Sequence, residues 1–161
     1  MSAPDVLLAD AIVADINSSS RSWSMDFVAE RTWRPLWIGK EKLANLQCLI
    51  NPWPIVDAEM LSRDESQFYY SVDFGFAKRL QEQQRDEIDD LRSLVNSVMN
   101  RYVVENIVIS GFGTFYPQRK VDEYVTYDPS RLTAQHEGGR YYYTGDFLSL
   151  FRVPYYLRVA V

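Results

Sequence analysis

Two segments of the chain place their hydrophobic residues at the spacing of an α-helix. The first covers residues 2–17, where apolar residues recur at four-residue spacing with acidic residues between them. Its apolar stripe is built on Leu8, Ile12 and Ile16. The second covers residues 86–102, with acidic residues in its first turns and Arg101 at its end, as the helix dipole favours. Its apolar stripe contains Ile88, Leu91, Val95 and Val98.

Other segments alternate apolar and polar residues, as β-strands do. The longest covers residues 68–80, and one face of it carries Phe68, Tyr70, Val72, Phe74 and Phe76. Shorter strands are predicted over residues 22–30, 46–50 and 147–153, and the prolines of Asn51-Pro52-Trp53-Pro54 are expected to end the second of them. The order of elements predicts an α+β domain. It would have a mostly antiparallel sheet of about four to five strands, with two helices packed on the face that bears Phe74.

Residues 104–127 form a segment longer than the usual connection of about 4–6 residues, and they are too apolar for a solvated linker. We expect an inserted arm or hairpin that packs against a neighbouring subunit or a partner protein. A hairpin folded back on its own domain is the alternative. The candidate interface residues are Ile107, Ile109, Phe112, Phe115 and Tyr116. Residues 155–161 are expected to form an apolar C-terminal extension.

The whole chain, residues 1–161, has the length and composition of one globular domain, with 47% hydrophobic residues. Its formal charge of −5 argues against non-specific nucleic-acid binding, which requires dense positive charge. The longest uncharged stretch, residues 43–56, is interrupted by two prolines and predicts no transmembrane helix. The N-terminus is acidic and does not resemble a signal peptide. We therefore expect a soluble protein of the cytosol.

The residue types that carry catalysis or bind metals form no recognised pattern. Cys48 lies inside a predicted strand, and His136, the only histidine, sits in a turn-like polar segment. Asp89 and Asp90 are adjacent on a predicted helix, so they point about 100° apart rather than converging. Gly111-Phe112-Gly113 lacks the third glycine and the lysine of a phosphate-binding loop. We expect no enzymatic activity, no metal and no cofactor.

The composition favours contacts with other proteins. The chain has 23 aromatic residues, and 13 of its 17 basic residues are arginines. Tyr, Trp and Arg are enriched in the buried parts of protein interfaces, and arginine makes forked hydrogen bonds that lysine cannot make. A tyrosine-rich core with solvated arginines fits the same composition.

Several short fragments follow one another along the chain in a defined order. They are residues 6–16, Phe27-Val28-Ala29-Glu30-Arg31-Thr32-Trp33-Arg34-Pro35, Leu46-Gln47-Cys48-Leu49-Ile50-Asn51-Pro52, Ser62-Arg63, residues 69–80, Ile88-Asp89-Asp90-Leu91, Tyr127-Asp128-Pro129 and residues 147–153. In these fragments and their order, the chain resembles the tail terminator (tail completion) proteins of long-tailed bacteriophages. The segments 104–127 and 155–161 depart from that pattern.

The resemblance implies a subunit of a homo-hexameric ring that caps the finished tail tube. Its partners would be the tail tube protein and a neck or head connector protein, with DNA only as passing cargo. The family is not enzymatic, so the resemblance implies no catalytic residues. The ring would be assembled in the host cytoplasm and would lie at the tail–neck junction of the virion. Two alternatives stay open: another neck or head-closure component, and a non-viral oligomeric scaffold or binding domain.

Overall fold

The sheet and two helices are defined in a computed structural model of the chain. The structure describes residues 2–18, 22–33, 40–80, 85–122, 124–125, 132–137 and 140–160. The helices are α1 (Pro4–Ile16) and α2 (Arg85–Tyr102), with a short 3₁₀ helix at Lys40–Ala44. The strands are β1 (Val28–Arg31), β2 (Gln47–Met60), β3 (Glu65–Leu80), β4 (Ile107–Ile109), β5 (Gly113–Pro117), β6 (Tyr124–Val125), β7 (Leu132–Glu137) and β8 (Arg140–Ala160).

The strands form one mixed sheet with the order β1-β2-β3-β8-β5-β4, and β6 and β7 also pair with β8. β1 and β2 are parallel, and the other pairs are antiparallel. The long strand β8 pairs with β3 along one edge. Along its other edge it pairs in turn with β7, β6 and β5. The α+β class is therefore confirmed, but the sheet is larger than four to five strands and is mixed.

The core lies between the two helices and the face of the sheet that bears Phe74. The Phe74 ring stacks on Phe151 with 4.7 Å between ring centres, and it also contacts Tyr102 of α2. The apolar stripes predicted for both helices belong to this cluster, and Ile88 packs at its margin. The prediction that both helices pack on the Phe74 face is confirmed.

The C-terminal end of α2 is joined to α1 and β8 by hydrogen bonds. The Tyr102 hydroxyl donates to Asp15 Oδ2 at 2.6 Å, and the Tyr155 hydroxyl donates to the Tyr102 carbonyl at 3.2 Å. Burial raises the pKa of Tyr102, and the hydrogen bond to Asp15 raises it further. Burial also raises the pKa of Tyr155, with nearby carboxylates adding to the effect. Both hydroxyls therefore stay protonated far above neutral pH. At the other end of α2, Lys78 of β3 forms an ion pair with Glu87.

The second and last strands are longer than the sequence predicts. β2 continues through Pro52 and Pro54 to Met60, because its pairing with β3 resumes after a register irregularity between Trp53 and Asp57. β8 extends far beyond the predicted residues 147–153 in both directions. Residues 155–160 are therefore part of the sheet and not an appended extension, and Val161 lies outside the described residues. The predicted strand at residues 22–30 is reduced to β1.

The described part of the segment 104–127 folds on its own domain. β4 and β5 form a hairpin, and β5 pairs with β8 at Phe115↔Leu157. The turn between them contains Gly111 with φ of 74°, a conformation that glycine adopts without strain. This is the second of the two predictions for the segment, a hairpin folded back on its own domain. Residues 126–127, like the fragment Tyr127-Asp128-Pro129 and Arg34-Pro35, lie outside the described residues.

Candidate interaction surface

The face of the sheet opposite the two helices carries a buried ion pair at its centre. Asp73 of β3 is only 1% exposed, and its carboxylate accepts a hydrogen bond from Arg152 Nε at 2.7 Å. The Trp53 indole donates to the same carboxylate at 2.6 Å. The Arg152 guanidinium lies 4.2 Å from the centre of the Trp53 ring. These contacts join the three adjacent strands β2, β3 and β8. They also stabilise the buried Asp73 carboxylate, because a buried charge is tolerated only with a charged partner and hydrogen bonds.

Towards the C-terminal end of β8, this outer face presents a group of polar and aromatic side chains that we call the tyrosine patch. It consists of Gln67, Tyr69, Tyr116, Tyr156 and Arg158, drawn from β3, β5 and β8. The register places Tyr69, Tyr156 and Tyr116 side by side across the three strands. Because alternate residues of a strand share a face, the patch lies on the side away from Phe74.

The side chains of the tyrosine patch are ordered by contacts with one another. The rings of Tyr116 and Tyr156 are stacked with 5.2 Å between their centres. Gln67 Nε2 donates to the Tyr69 hydroxyl at 2.7 Å, and Arg158 Nε donates to Gln67 Oε1 at 3.1 Å. Side chains that are already ordered lose less conformational entropy when a partner binds. The patch is therefore suited to form part of a protein interface.

An open cavity of about 490 Å³ adjoins the patch, and it is lined by Glu65, Thr114, Tyr116, Tyr156 and Arg158. Arg158 Nε lies 4.0 Å from Glu65 Oε1, and the Tyr69 hydroxyl donates to Glu59 Oε2 at 2.9 Å. The charges here are of both signs and solvent-exposed, so their ion pairs contribute little stability. Hydroxyl, guanidinium and carboxylate groups together offer both donors and acceptors to a partner.

The five predicted interface residues occupy three different environments. Ile107 and Phe115 are buried and belong to the core, and Ile109 packs at its margin. Phe112, at the β4–β5 turn, is 37% exposed and stacks on Phe115. Tyr116 points to the outer face and is the only one of the five in the tyrosine patch. The contacts of these residues with another protein stay a prediction.

Sequence reasoning missed most of the tyrosine patch. Tyr156 and Arg158 fall in the segment for which the sequence predicts an extension, although they alternate with the buried Tyr155 and Leu157. That alternation is the signal of a strand with one face on the core, and it was available in the sequence. Tyr69 was placed correctly on the face away from Phe74, but nothing in the sequence pairs it with Tyr156.

The residues considered for chemistry are dispersed. Cys48 is buried in β2, and this burial raises the pKa of its thiol, which keeps it protonated. Asp89 and Asp90 are exposed on α2. His136 lies in β7 opposite Tyr141. Among the described residues, no three His, Cys, Asp or Glu side chains are grouped so that they could hold a metal ion. No helix in that part of the chain is long and apolar enough to span a membrane.

Comparison with known proteins does not place the chain in a family. The sequence matches no protein-family model and no curated protein.

Proposed function

We propose that this chain is a structural protein of a long-tailed bacteriophage, a tail terminator whose ring caps the tail tube and joins the tail to the head. The observation that carries the proposal is the tyrosine patch, an ordered, half-exposed surface on the sheet face away from the helices. The proposed family and the six subunits of the ring come from the resemblance of the ordered fragments to tail terminator proteins. The tyrosine patch and the resemblance are both consistent with a protein that functions through surface contacts with other proteins.

The composition of the patch supports a protein partner. Tyrosine and arginine are among the residues that contribute most to binding energy at interfaces, because they bury a large area with few rotatable bonds. Repetition of one head-to-tail contact closes into a ring when the rotation between subunits divides a full turn. In this proposal one part of the surface contacts the next copy, and others contact the tail tube protein and the neck or head connector.

The negative charge of the chain suits passage of DNA through such a ring. A channel lined with basic residues would bind phosphates and slow the DNA, whereas an acidic one repels them. The formal charge of −5 is in the required direction. DNA would thus pass the protein as cargo without being bound by it.

A null allele in a phage that carries this gene tests the proposed function. We expect heads and tails that fail to join, with tails of uncontrolled length, as seen by electron microscopy. Supplying the wild-type chain should restore joined particles of normal tail length. Joined tails of normal length in the null mutant would contradict the proposal. Tails of normal length beside heads that lose their DNA would instead indicate a head-closure component.

The purified chain provides a second test. The purified chain is mixed with tails that lack it. We expect electron microscopy to show the chain at one end of each tube, and native mass spectrometry to give six copies per ring. Failure to bind any tube end would contradict the role, as would binding along the side of the tube.

A further inference from the structure

β1 lies at one end of the strand order and has an open outer edge. Within the described chain, β2 is the only strand that pairs with β1, and the two are parallel. In a parallel ladder, the N–H and C=O of one residue point to the same side, and those of the next residue point to the other side. The Thr32 N–H donates to the Ile50 carbonyl of β2 at 2.9 Å. Residues 28, 30 and 32 therefore face β2, and the peptide groups of Ala29 and Arg31 point away from the sheet.

The side chain of Asn17 occupies this edge in the way that a neighbouring strand would. Its Oδ1 accepts a hydrogen bond from the Ala29 N–H at 2.8 Å, and its Nδ2 donates to the Ala29 carbonyl at 2.9 Å. An amide side chain offers the same donor and acceptor as a peptide group. The outward N–H and C=O of Arg31 form no such bonds within the described part of the chain. The edge therefore has one position filled by a substitute for a peptide group and one position open.

An open cavity of about 360 Å³ lies beside this edge, where α1 ends and β1 begins. Asn17 and Val28 line it, together with the apolar side chains of Ile16, Trp23 and Met25. The Trp23 indole donates to the Ile16 carbonyl at 3.2 Å, which fixes the ring at the cavity wall. A strand added to β1 would run past this cavity. When a strand is added to a sheet edge, backbone hydrogen bonds give affinity and neighbouring pockets select the side chains.

The charges around the cavity favour a positively charged side chain. Asp26 also lines the cavity, and Glu30 is exposed on β1. Neither carboxylate forms an ion pair with any residue that the structure describes. The C-terminal end of α1, which carries a partial negative charge, lies at the same place. Arginine fits such a site best, because its flat guanidinium stacks on an indole ring while its apolar stem packs against aliphatic groups.

We propose that the outer edge of β1 binds an extended segment of another protein, and that this segment carries an arginine that enters the cavity. One peptide group of the segment replaces the Asn17 amide on Ala29, so the two hydrogen bonds given up are matched by two new ones. Bonds to the outward groups of Arg31 are gained, and Val28, which is 71% exposed, becomes covered. This edge is separate from the tyrosine patch, and the inference does not rest on the proposed function.

Peptide binding to the full chain tests the proposal. The probe is a fluorescently labelled seven-residue peptide of threonine and valine with a central arginine, and the readout is fluorescence anisotropy. We expect saturable binding with a Kd below about 1 mM. A peptide with glutamine in place of the arginine should bind about threefold more weakly, as for the loss of an exposed ion pair. A peptide with proline beside the arginine lacks one backbone N–H and should bind at least about fivefold more weakly.

Asn17→Ala should give a gain of binding, which a merely structural role would not produce. Because the segment no longer has to displace the amide, the arginine and glutamine peptides should both bind about tenfold more tightly. Asn100→Ala, at an exposed asparagine of α2, is the matched control and should leave binding unchanged.

Two further pairs of variants separate the backbone contact from the charge. Arg31→Pro removes the outward N–H, which an edge strand tolerates, whereas Arg31→Ala keeps it. The peptide should therefore bind at least about fivefold more weakly to the proline variant. Asp26→Asn should weaken binding of the arginine peptide about threefold and leave the glutamine peptide unchanged, with Asp89→Asn on the exposed face of α2 as its control. If Asn17→Ala fails to fold, these pairs and the proline peptide decide.

Several results would overturn the proposal. One is no binding of the arginine peptide at about 1 mM to the wild-type chain or to Asn17→Ala, and another is equal binding by these two chains. Equal binding of the proline peptide would exclude strand addition. Binding of the amide of N-acetylarginine as tight as that of the peptide would indicate a site for a small cation only. Defined dimers of Asn17→Ala that bind no peptide would identify a second copy as the occupant. In each case the phage null allele still decides whether the chain terminates tails, so the two proposals fail separately.

Discussion

Truncation of Leu91 to alanine should destabilise the domain by about 2–5 kcal/mol. Leu91 lies in the middle of α2 with 0% of its surface exposed, in the cluster formed by the helices and the Phe74 face. The change removes three buried carbon atoms, each contributing about 0.8 kcal/mol by transfer from water. The cavity left between helix and sheet adds the remainder, because packed surroundings relax only in part.

Urea unfolding followed by circular dichroism measures this loss of free energy, and a thermal scan provides a second estimate. For a domain of this size, about 2–4 °C are lost per kcal/mol, so the midpoint should fall by about 4–20 °C. Arg92→Ala is the matched control, since Arg92 is the exposed neighbour of Leu91 on the same helix. It should change stability by no more than about 0.5 kcal/mol. A shift of a degree or less for Leu91→Ala would refute the packing of α2 on the sheet.

Three further changes probe other parts of the fold. Asp73→Ala removes the buried carboxylate that accepts a hydrogen bond from Arg152 and should cost about 3–5 kcal/mol in urea unfolding. A loss below about 1 kcal/mol would contradict the role of the buried pair. Asn17→Ala removes the side-chain amide that accepts a hydrogen bond from the Ala29 N–H at 2.8 Å and donates one to the Ala29 carbonyl at 2.9 Å. The change should cost about 1–3 kcal/mol. It should also expose the β1 edge to aggregation, which light scattering would detect. Tyr155→Phe should cost about 0.5–1.5 kcal/mol at neutral pH. Because the folded-state pKa of Tyr155 is raised, the wild type keeps this group's contribution below the unfolded pKa of about 10 and loses it as the pH rises further. The stability of Tyr155→Phe should therefore fall less steeply between about pH 9 and about pH 11, and parallel curves would contradict this assignment.

The helices could be predicted because their signal is local. Leu8, Ile12 and Ile16 repeat at the helical period, and the same period runs through α2 to Tyr102. Each helix buries one stripe, so the residues that face the core are fixed by their spacing alone. The long strand through Phe74 could be predicted for the same reason, because its apolar residues occupy every second position, which is the period of a β-strand.

The lengths of β2 and β8 could not be predicted in this way. Whether a strand continues depends on a partner strand far away in the sequence, and a local proline signal cannot override that pairing. Pro52 stays in β2 because Val72 lies opposite it, and Tyr155 stays in β8 because Tyr70 does. The candidate surface depends on the same pairings, since three strands bring its side chains together.

β8 carries both the buried ion pair and part of the candidate surface. Its middle carries Arg152, which pairs with Asp73 of β3, and its C-terminal part carries Tyr156 and Arg158 of the tyrosine patch. Because alternate residues of a strand share a face, Arg152 and Tyr156 lie on the same face of the sheet, four residues apart. The ion pair therefore joins β8 to β3 next to the patch. A change at Asp73 should alter the arrangement of the patch as well as the stability of the domain, so under the proposed function it should weaken assembly too.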